Sequence, residues 1–249
     1  MIMKVHLKIN LPLEMQNHSI GSLLHGVLME KMTHEQASML HNYRYSPLKQ
    51  RLKLFKDHCL WEVVSLENNL TMELKEVFED LHSIYIEHRQ QELPVEIISM
   101  NIFCLDDWLT AELNRDEYPS SLKIKFFTPT SFKSDGAYEI FPDLRKILRS
   151  VMMNFDYFSE GTKLYDYETL EYLTECIKIS QYQLQSTSFH LEQTRIPSFK
   201  GTLVLKIKGS HQIRQLIHLI FSYAELAGVG IKTSLGMGAI ELKHPSHLK

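Results

Sequence analysis

The pattern of hydrophobic and polar positions divides the chain into short strands and amphipathic helices. Apolar residues alternate with polar ones over residues 3–11 and recur with helical spacing over residues 19–32, where Ser19 is the predicted N-cap. Residues 33–36 have the sequence of a capping box and predict a second, short helix that ends near His41. The first half continues with a hairpin over residues 45–55 and 60–66, a helix over 70–84 and a strand over 95–105. This order, β-α-β-β-α-β, is that of a ferredoxin-like unit.

The second half repeats this order more loosely. A polar connection over residues 106–119 is followed by a strand over 122–127 and by a helix that begins at Pro142. The later elements are a helix, a long hairpin, an apolar helix and a last strand, over residues 165–176, 182–191 with 201–208, 213–226 and 239–242. The predicted fold is α+β, with two tandem ferredoxin-like (RRM-like, β-α-β-β-α-β) domains at residues 1–115 and 116–249.

Composition is that of an ordinary globular protein, with 44% hydrophobic and 23% charged residues. No segment approaches the roughly 18 consecutive apolar residues of a membrane span, and the first residues lack the layout of a signal peptide. The three scattered cysteines, Cys59, Cys104 and Cys176, indicate neither a zinc knuckle nor a disulfide framework. We therefore expect a cytoplasmic protein with no membrane partner. The net charge of −3 argues against a general nucleic-acid coat but allows one local basic surface.

Four of the ten glycines lie in one stretch, residues 228–238. Glycine suits a backbone that takes positive φ or closely approaches a ligand, and Lys232, Thr233 and Ser234 add a cation and two hydroxyl groups. A P-loop would require glycine where Ile231 stands, and the glycine spacing does not fit the dinucleotide fingerprint either. The stretch predicts a loop that surrounds phosphate oxygens with backbone N–H groups. An ordinary turn between a helix and a strand is the alternative.

Residues 40–51 carry the most reactive set of side chains in the first half. His41 closes a predicted helix and is followed by two tyrosines and several cations, among them Arg44 and Arg51. The helix C-terminus raises the pKa of a histidine and nearby cations lower it, which favours an imidazole that exchanges protons near neutral pH. The cations can hold phosphates, and the tyrosines can stack on bases. A surface histidine on a basic hairpin is the alternative.

No metal site is predicted from the thirteen histidines. His34 and Glu35 do not continue into the H-E-x-x-H motif of zinc proteases. His244 and His247, near the end of the chain, would supply only two ligands, which makes a weak site.

Three stretches carry a resemblance to a known family. They are Leu24-His25-Gly26, then Leu40-His41 with the later Ser46-Pro47-Leu48-Lys49, and the glycine-rich residues 228–238 before the last strand. Together they resemble the CRISPR-associated RAMP superfamily, and within it the endoribonucleases that cut precursor CRISPR RNA at its repeats. The resemblance covers most of the chain, loosely in the middle, and implies tandem ferredoxin-like domains.

The resemblance also implies roles for single residues. His41 would transfer the proton and Lys49 would stabilise the phosphorane. His25 is a second candidate for the proton transfer, because relatives differ in where the key histidine lies. The expected RNA-binding residues are Arg44, Arg51, Arg145, Lys146, Arg149, Gly228, Gly230, Lys232, Thr233, Ser234, Gly236 and Gly238. For the three cations at 145–149, a solvated helix face is the alternative.

The implied reaction needs neither a metal nor another cofactor. The ribose 2′-OH attacks the adjacent phosphate, a base removes its proton, and an acid protonates the 5′-oxygen leaving group. The products are a 2′,3′-cyclic phosphate and a 5′-OH end. The expected partner is CRISPR repeat RNA, with transfer of the product to an effector complex and a homodimer left open. The alternatives are a non-catalytic RAMP subunit that binds guide RNA, and a ferredoxin-like binding protein unrelated to RNA.

Overall fold

The computed structural model describes residues 1–12, 20–87, 90–191 and 194–243, and its chain divides into two compact units. The first unit comprises Met1–Cys104, His190–Thr194 and Lys232–Gly236. The second comprises Leu105–Phe189, Arg195–Ile231 and Met237–Lys249. Part of the glycine-rich stretch therefore belongs to the first unit, although it lies near the end of the chain. The domain boundary between residues 115 and 116 stays a prediction.

The first unit is built on a five-stranded antiparallel sheet. Its strands are β1 (Ile2–Ile9), β2 (Leu48–Leu54), β3 (Cys59–Ser65), β4 (Ser83–Ile86) and β5 (Gln91–Phe103). Its helices are α1 (Ile20–Lys31), α2 (His34–Asn42) and α3 (Asn68–Glu79). The spatial order is β2-β3-β1-β5-β4, so β2 is an edge strand. Without β4, this is a ferredoxin-like sheet.

Strand alternation separates the apolar and charged sides of this sheet. On β1, Val5, Leu7 and Ile9 are buried in one hydrophobic cluster with residues of α1 and α3. Lys4 and His6 lie on the opposite face, because successive side chains of a strand point to opposite sides. The helices therefore cover one face, and the other carries polar groups.

A polar row crosses four strands on that other face. The strand register aligns Arg51, Glu62, His6 and Ser99. Arg51 Nε forms an ion pair with Glu62 Oε1 at 2.7 Å, and the His6 ring nitrogens lie 2.9 Å from Glu62 Oε2 and from Ser99 Oγ. Burial raises the pKa of Glu62, but Arg51, His6 and Lys4 outweigh burial and lower the pKa to about 2.

The second unit contains another ferredoxin-like sheet. Its elements are α4 (Leu105–Leu113), β6 (Ser121–Thr130), β7 (Phe132–Ser134), β8 (Ala137–Glu139), α5 (Leu144–Phe158), α6 (Tyr167–Cys176), β9 (Ile177–Leu191), β10 (Thr194–Ile207), α7 (His211–Ala227) and β11 (Ile240–Lys243). The sheet order is β11-β6-β10-β9, and β7 and β8 form a separate hairpin. The predicted α+β class with two ferredoxin-like sheets is confirmed.

The helix predicted over residues 70–84 is wrong at its C-terminal end. Helix α3 stops at Glu79, and Ser83–Ile86 form β4 instead. Ile84 and Ile86 are buried and alternate with more exposed neighbours, which is the period of a strand. The segment is too short for this alternation to stand out from a helical pattern in the sequence.

Two further local predictions are wrong in the second half of the chain. The connection over residues 106–119 contains α4, whose first turn holds Asp106 and Asp107 at the favourable end of the helix dipole. Pro142 precedes α5 instead of opening it, because Asp143 is the N-cap and accepts from the Lys146 N–H. The β7–β8 hairpin was not predicted, since each strand has only three residues.

Three residues named in the sequence analysis, Ser19, His244 and His247, lie outside the described residues. Where the chain is described, none of its helices is both long and apolar enough to cross a membrane. The capping box predicted for α2 is confirmed, since Thr33 and Gln36 exchange backbone-to-side-chain hydrogen bonds of 2.7 and 3.3 Å.

We expect Glu62→Gln to lower the free energy of unfolding at pH 7 by about 3–5 kcal/mol, because it removes the carboxylate that pairs with buried Arg51. The folded-state pKa of Glu62 is depressed, so its stabilisation is present above about pH 4.5 and is lost as the pH falls toward about 2. Urea unfolding at several pH values measures both effects. Glu76→Gln, an exposed carboxylate on α3, is the control and should keep the acid-dependent loss. Equal acid profiles for wild type and Glu62→Gln would contradict this prediction.

Candidate active site and glycine-rich loop

The glycine-rich stretch adopts the backbone conformations for which glycine is suited. Gly228, Gly230, Gly236 and Gly238 have φ of 71°, 79°, 95° and 71°. Lys232 is also left-handed, with φ of 57°, and a 3₁₀ turn, Thr233–Leu235, follows it. These residues form a tightly turning loop, and the positive φ angles explain why glycine recurs there.

Lys49 of β2 holds this loop from one side. Its Nζ donates to Thr233 Oγ1 at 2.9 Å. The residue is only 6% exposed, and burial lowers the pKa of its ammonium group to about 7. At neutral pH, the charged and neutral forms of Lys49 are therefore both populated.

Gln50 holds the loop from the other face of the same strand. Its Nε2 donates to Gly21 O at 2.7 Å and to Ser234 O at 2.6 Å, while its Oε1 accepts from Trp61 Nε1 at 2.8 Å. The residue is 2% exposed. Each of its polar atoms has a partner, as a buried amide requires.

Gly21 of α1 allows the loop backbone to approach the helix directly. A Cβ atom at this position would lie 2.3 Å from Leu235 O, far inside van der Waals contact. Each residue of the 3₁₀ turn thus has its own contact within the first unit. Lys49 contacts Thr233, Gln50 contacts Ser234, and Gly21 contacts Leu235.

Gln50 and Gly21 were not among the residues predicted from the sequence. The sequence contained one signal for Gln50. It lies between Leu48 and Leu52 on the same face of β2, where the alternation of the strand predicts a buried apolar residue. A polar side chain in such a position needs hydrogen-bond partners. Gly21 gave no local signal, since its partner Leu235 is more than two hundred residues away in the sequence.

The two candidate histidines lie on consecutive helices of the first unit. His25 is half-buried on α1, and His41 is exposed in the last turn of α2. Burial lowers the pKa of His25, and the charge of His41 lowers it further. The two imidazoles are therefore close enough to interact, and His25 favours its neutral form at pH 7. In the described ranges, no three His, Cys, Asp or Glu side chains form a group that could ligate a metal ion.

The predicted RNA-binding arginines of the first unit differ in their surroundings. Arg44 is exposed, and its guanidinium lies 5.5 Å from the ring centre of Tyr45. Arg51 is buried and takes part in the polar row through Glu62. Only Arg44 of these two presents its charge at the surface, and an RNA-binding role stays a prediction for both.

The predicted basic face of α5 is partly neutralised within the second unit. Arg145 pairs with Glu171, and Lys146 pairs with Glu139. Arg149 is exposed to solvent. The geometry therefore favours Arg149 over its two neighbours as an available cation, and the role of this face stays a prediction.

Comparison with known proteins identifies the family. The sequence model of CRISPR-associated endoribonuclease Cas6 matches residues 124–240. A CRISPR-associated endoribonuclease Cas6 of Streptococcus thermophilus is 32% identical over 227 residues, which cover 88% of this chain and 89% of that protein. The chain belongs to the CRISPR-associated endoribonuclease Cas6 family. A Cas6 endoribonuclease of Mycobacterium tuberculosis is 26% identical over 243 residues, covering 95% of this chain and 76% of that protein.

Solved Cas6 structures share the fold. A Cas6 product complex has a TM-score of 0.78 at 16% identity and covers 98% of this chain and 100% of that one. Cas6 of Thermus thermophilus has a TM-score of 0.70 at 18% identity and covers 98% of both chains. At such identities the likeness concerns the fold alone.

Membership of the Cas6 family confirms the resemblance found in the sequence and makes the chain an endoribonuclease of CRISPR RNA processing. The alternative of a ferredoxin-like protein unrelated to RNA is excluded. The roles of single residues stay predictions.

We expect Gly21→Ala to displace the loop of this Cas6 family member, because the added Cβ would overlap Leu235 O. Overpacking of this kind costs about 1–3 kcal/mol of stability, and we expect weaker binding of CRISPR repeat RNA as well. Gly26→Ala on the same helix is the matched control, since a Cβ there meets nothing within 4 Å. That control should be neutral or stabilising by about 0.5–1 kcal/mol. Thermal melts and RNA titrations measure both effects, and a Gly21→Ala protein as stable as Gly26→Ala would contradict the close contact.

We expect the stability of the wild type to rise between about pH 7 and 9, because unfolding restores the ordinary pKa of Lys49 and so binds a proton in this range. The gain from Lys49 should be on the order of 2 kcal/mol and should be lost in Lys49→Met, which keeps only the smaller rise from Lys200, whose pKa burial also lowers. Above pH 9 the raised pKa of the buried Cys59 thiol opposes the rise. Lys53→Met, on the same face of β2 but exposed, is the control and should keep the rise. Unfolding in urea at pH 7, 8, 9 and 10 measures it. A rise of the same size in Lys49→Met would show that other groups cause it.

Proposed function

We propose that this protein cleaves precursor CRISPR RNA within its repeats without a metal ion, by attack of a ribose 2′-OH on the adjacent phosphate. One observation carries the proposal. An exposed and a half-buried histidine lie on consecutive helices, close enough for the charge of one to lower the pKa of the other. The same unit contains the glycine-rich turn at residues 233–235.

The chemistry needs one proton acceptor and one proton donor. As the 2′-oxygen bonds to phosphorus, its proton passes to a base. As the bond from phosphorus to the 5′-oxygen breaks, an acid protonates that oxygen. The products are a 2′,3′-cyclic phosphate and a 5′-OH end, and no oxidant, reductant or water molecule is consumed.

His41 is our first candidate for the proton transfer, because it is exposed at the end of α2, where RNA can reach it. His25 is the second candidate. The neutral form that burial and His41 favour in His25 is the form that accepts a proton. Variants that change one histidine at a time separate the two roles.

The phosphate would be held by the glycine-rich loop and by cations near it. Among the hydrogen bonds of the described residues, none uses the backbone N–H of Lys232, Thr233 or Ser234, and in the proposed site these groups would donate to a phosphate oxygen. A phosphate close to Lys49 would raise the pKa of its amine again, because an opposite charge favours the ammonium form. Lys49 or Arg44 would then stabilise the extra charge of the phosphorane.

Other parts of the interaction remain predictions. Arg149 is exposed on the predicted basic face of α5 and would contact the repeat RNA. It lies more than one hundred residues after the two histidines in the sequence. Transfer of the product RNA to an effector complex and formation of a homodimer are further predictions.

The test is cleavage of an end-labelled CRISPR repeat RNA in the presence of EDTA. We expect the wild type to cut, and His41→Ala to cut about 10²–10⁴-fold more slowly while still binding RNA. His34→Ala is the matched control, because His34 is exposed at the start of the same helix. A substrate with a 2′-deoxyribose at the cut site should bind and remain intact.

Each other outcome has a definite meaning. Loss of activity in His25→Ala but not in His41→Ala would move the proton transfer to α1. Loss of wild-type activity in EDTA would overturn the metal-free mechanism. Binding without cutting by the wild type in the presence of divalent metal would favour the non-catalytic guide-binding subunit.

A further inference from the structure

Gln50 lies where the glycine-rich loop, β2 and α1 meet in the first unit. Its Nε2 bridges two backbone carbonyls that are far apart in sequence, Gly21 O at 2.7 Å and Ser234 O at 2.6 Å. Both hydrogens of the amide are used in this bridge. The bridge therefore fixes the distance between one turn of α1 and the loop.

The orientation of the Gln50 amide is set by Trp61. The indole N–H can only donate a hydrogen bond, and it lies 2.8 Å from Gln50 Oε1. The amide oxygen must therefore face Trp61, which leaves the NH₂ group facing the two carbonyls. Trp61 is fully buried, so this orientation is held by the core of the unit.

The bridge also reaches the backbone of a candidate catalytic residue. In an α-helix each carbonyl accepts from the N–H four residues later, so Gly21 O is also the helical acceptor for His25. Gln50 thus connects the carbonyl of Ser234 to the helical turn that carries His25. Next to it in β2, Lys49 holds the side chain of Thr233.

We infer that Gln50 is a positioning residue for RNA cleavage, which fixes the glycine-rich loop relative to the helical turn that carries His25. The inference rests on the proposed function, since it assumes that the loop binds the scissile region and that the histidines act on it. Gln50 is buried and acts through these backbone groups rather than by touching RNA. Misplacement of reacting groups by about 1 Å can cost on the order of 10²-fold in rate.

The experiment is single-turnover cleavage of labelled CRISPR repeat RNA, with the rate constant at saturating enzyme and the Kd measured separately. Gln50→Met keeps the length of the side chain and removes its hydrogen bonds. We expect it to lower the rate constant about 10- to 100-fold and to change the Kd less. Trp61→Phe, which keeps the amide but removes the donor that orients it, should lower the rate constant in the same direction.

Ile84→Val is the control for loss of stability alone, because it removes one methyl group from a buried position of β4. If the role of Gln50 were only structural, its variant would contain less folded protein, and the amplitude of the cleavage reaction would fall. The rate constant of the molecules that do fold would equal that of Ile84→Val. If Gln50→Met does not fold, Trp61→Phe decides by the same two quantities.

The outcomes separate the inference from the proposed function. If the wild type cuts and both variants have the rate constant of Ile84→Val, the positioning role of Gln50 is overturned and the proposed function stands. If the wild type binds repeat RNA without cutting it, the proposed function fails and the inference falls with it. A slow rate constant in the folded variants, with nearly unchanged Kd, supports the inference.

Discussion

Two consecutive residues of one edge strand, Lys49 and Gln50, hold the same short turn of the glycine-rich loop from opposite faces of the sheet. Side chains alternate along a strand, so two neighbouring residues point to opposite faces of the sheet. Both can therefore contact a segment of backbone that packs against the edge of that strand. The exposed edge of a sheet needs cover, and here the turn at residues 233–235 packs against β2. The position of the loop, and of whatever it binds, depends on this contact.

Two cations on the same face of β2, Arg51 and Lys49, have different electrostatic surroundings. Arg51 pairs with Glu62 in a row of polar groups, and the pair keeps the Glu62 pKa low despite burial. Lys49 bonds to a neutral hydroxyl, and burial lowers its pKa to about 7. A buried ammonium of this kind gains most from an approaching anion, which is the situation expected when a phosphate enters the loop. Arg51, by contrast, is already paired with a carboxylate.

The histidines show the same division between exposed and buried groups. His41 ends a helix with no buried residues, while His25 lies on a helix whose apolar side joins the core. Burial and the neighbouring charge favour neutral His25, and exposure leaves His41 accessible. In the proposed reaction, two imidazoles in such different surroundings would divide the acid and base roles between them.

Local sequence determined the elements and their order, since hydrophobic period, capping residues and recurrent glycine act within a few residues. The α+β class, the two ferredoxin-like sheets, the capping box at Thr33 and the turning glycine-rich stretch follow from such signals. Short elements such as β4 and the β7–β8 hairpin did not, because three or four residues carry too little pattern. Only the tertiary structure decided that Gly21 meets Leu235, that Gln50 bridges α1 and the loop, and that Arg51 is committed to Glu62. These contacts join residues that are distant in the chain, and nothing in the sequence near either partner encodes the distance between them.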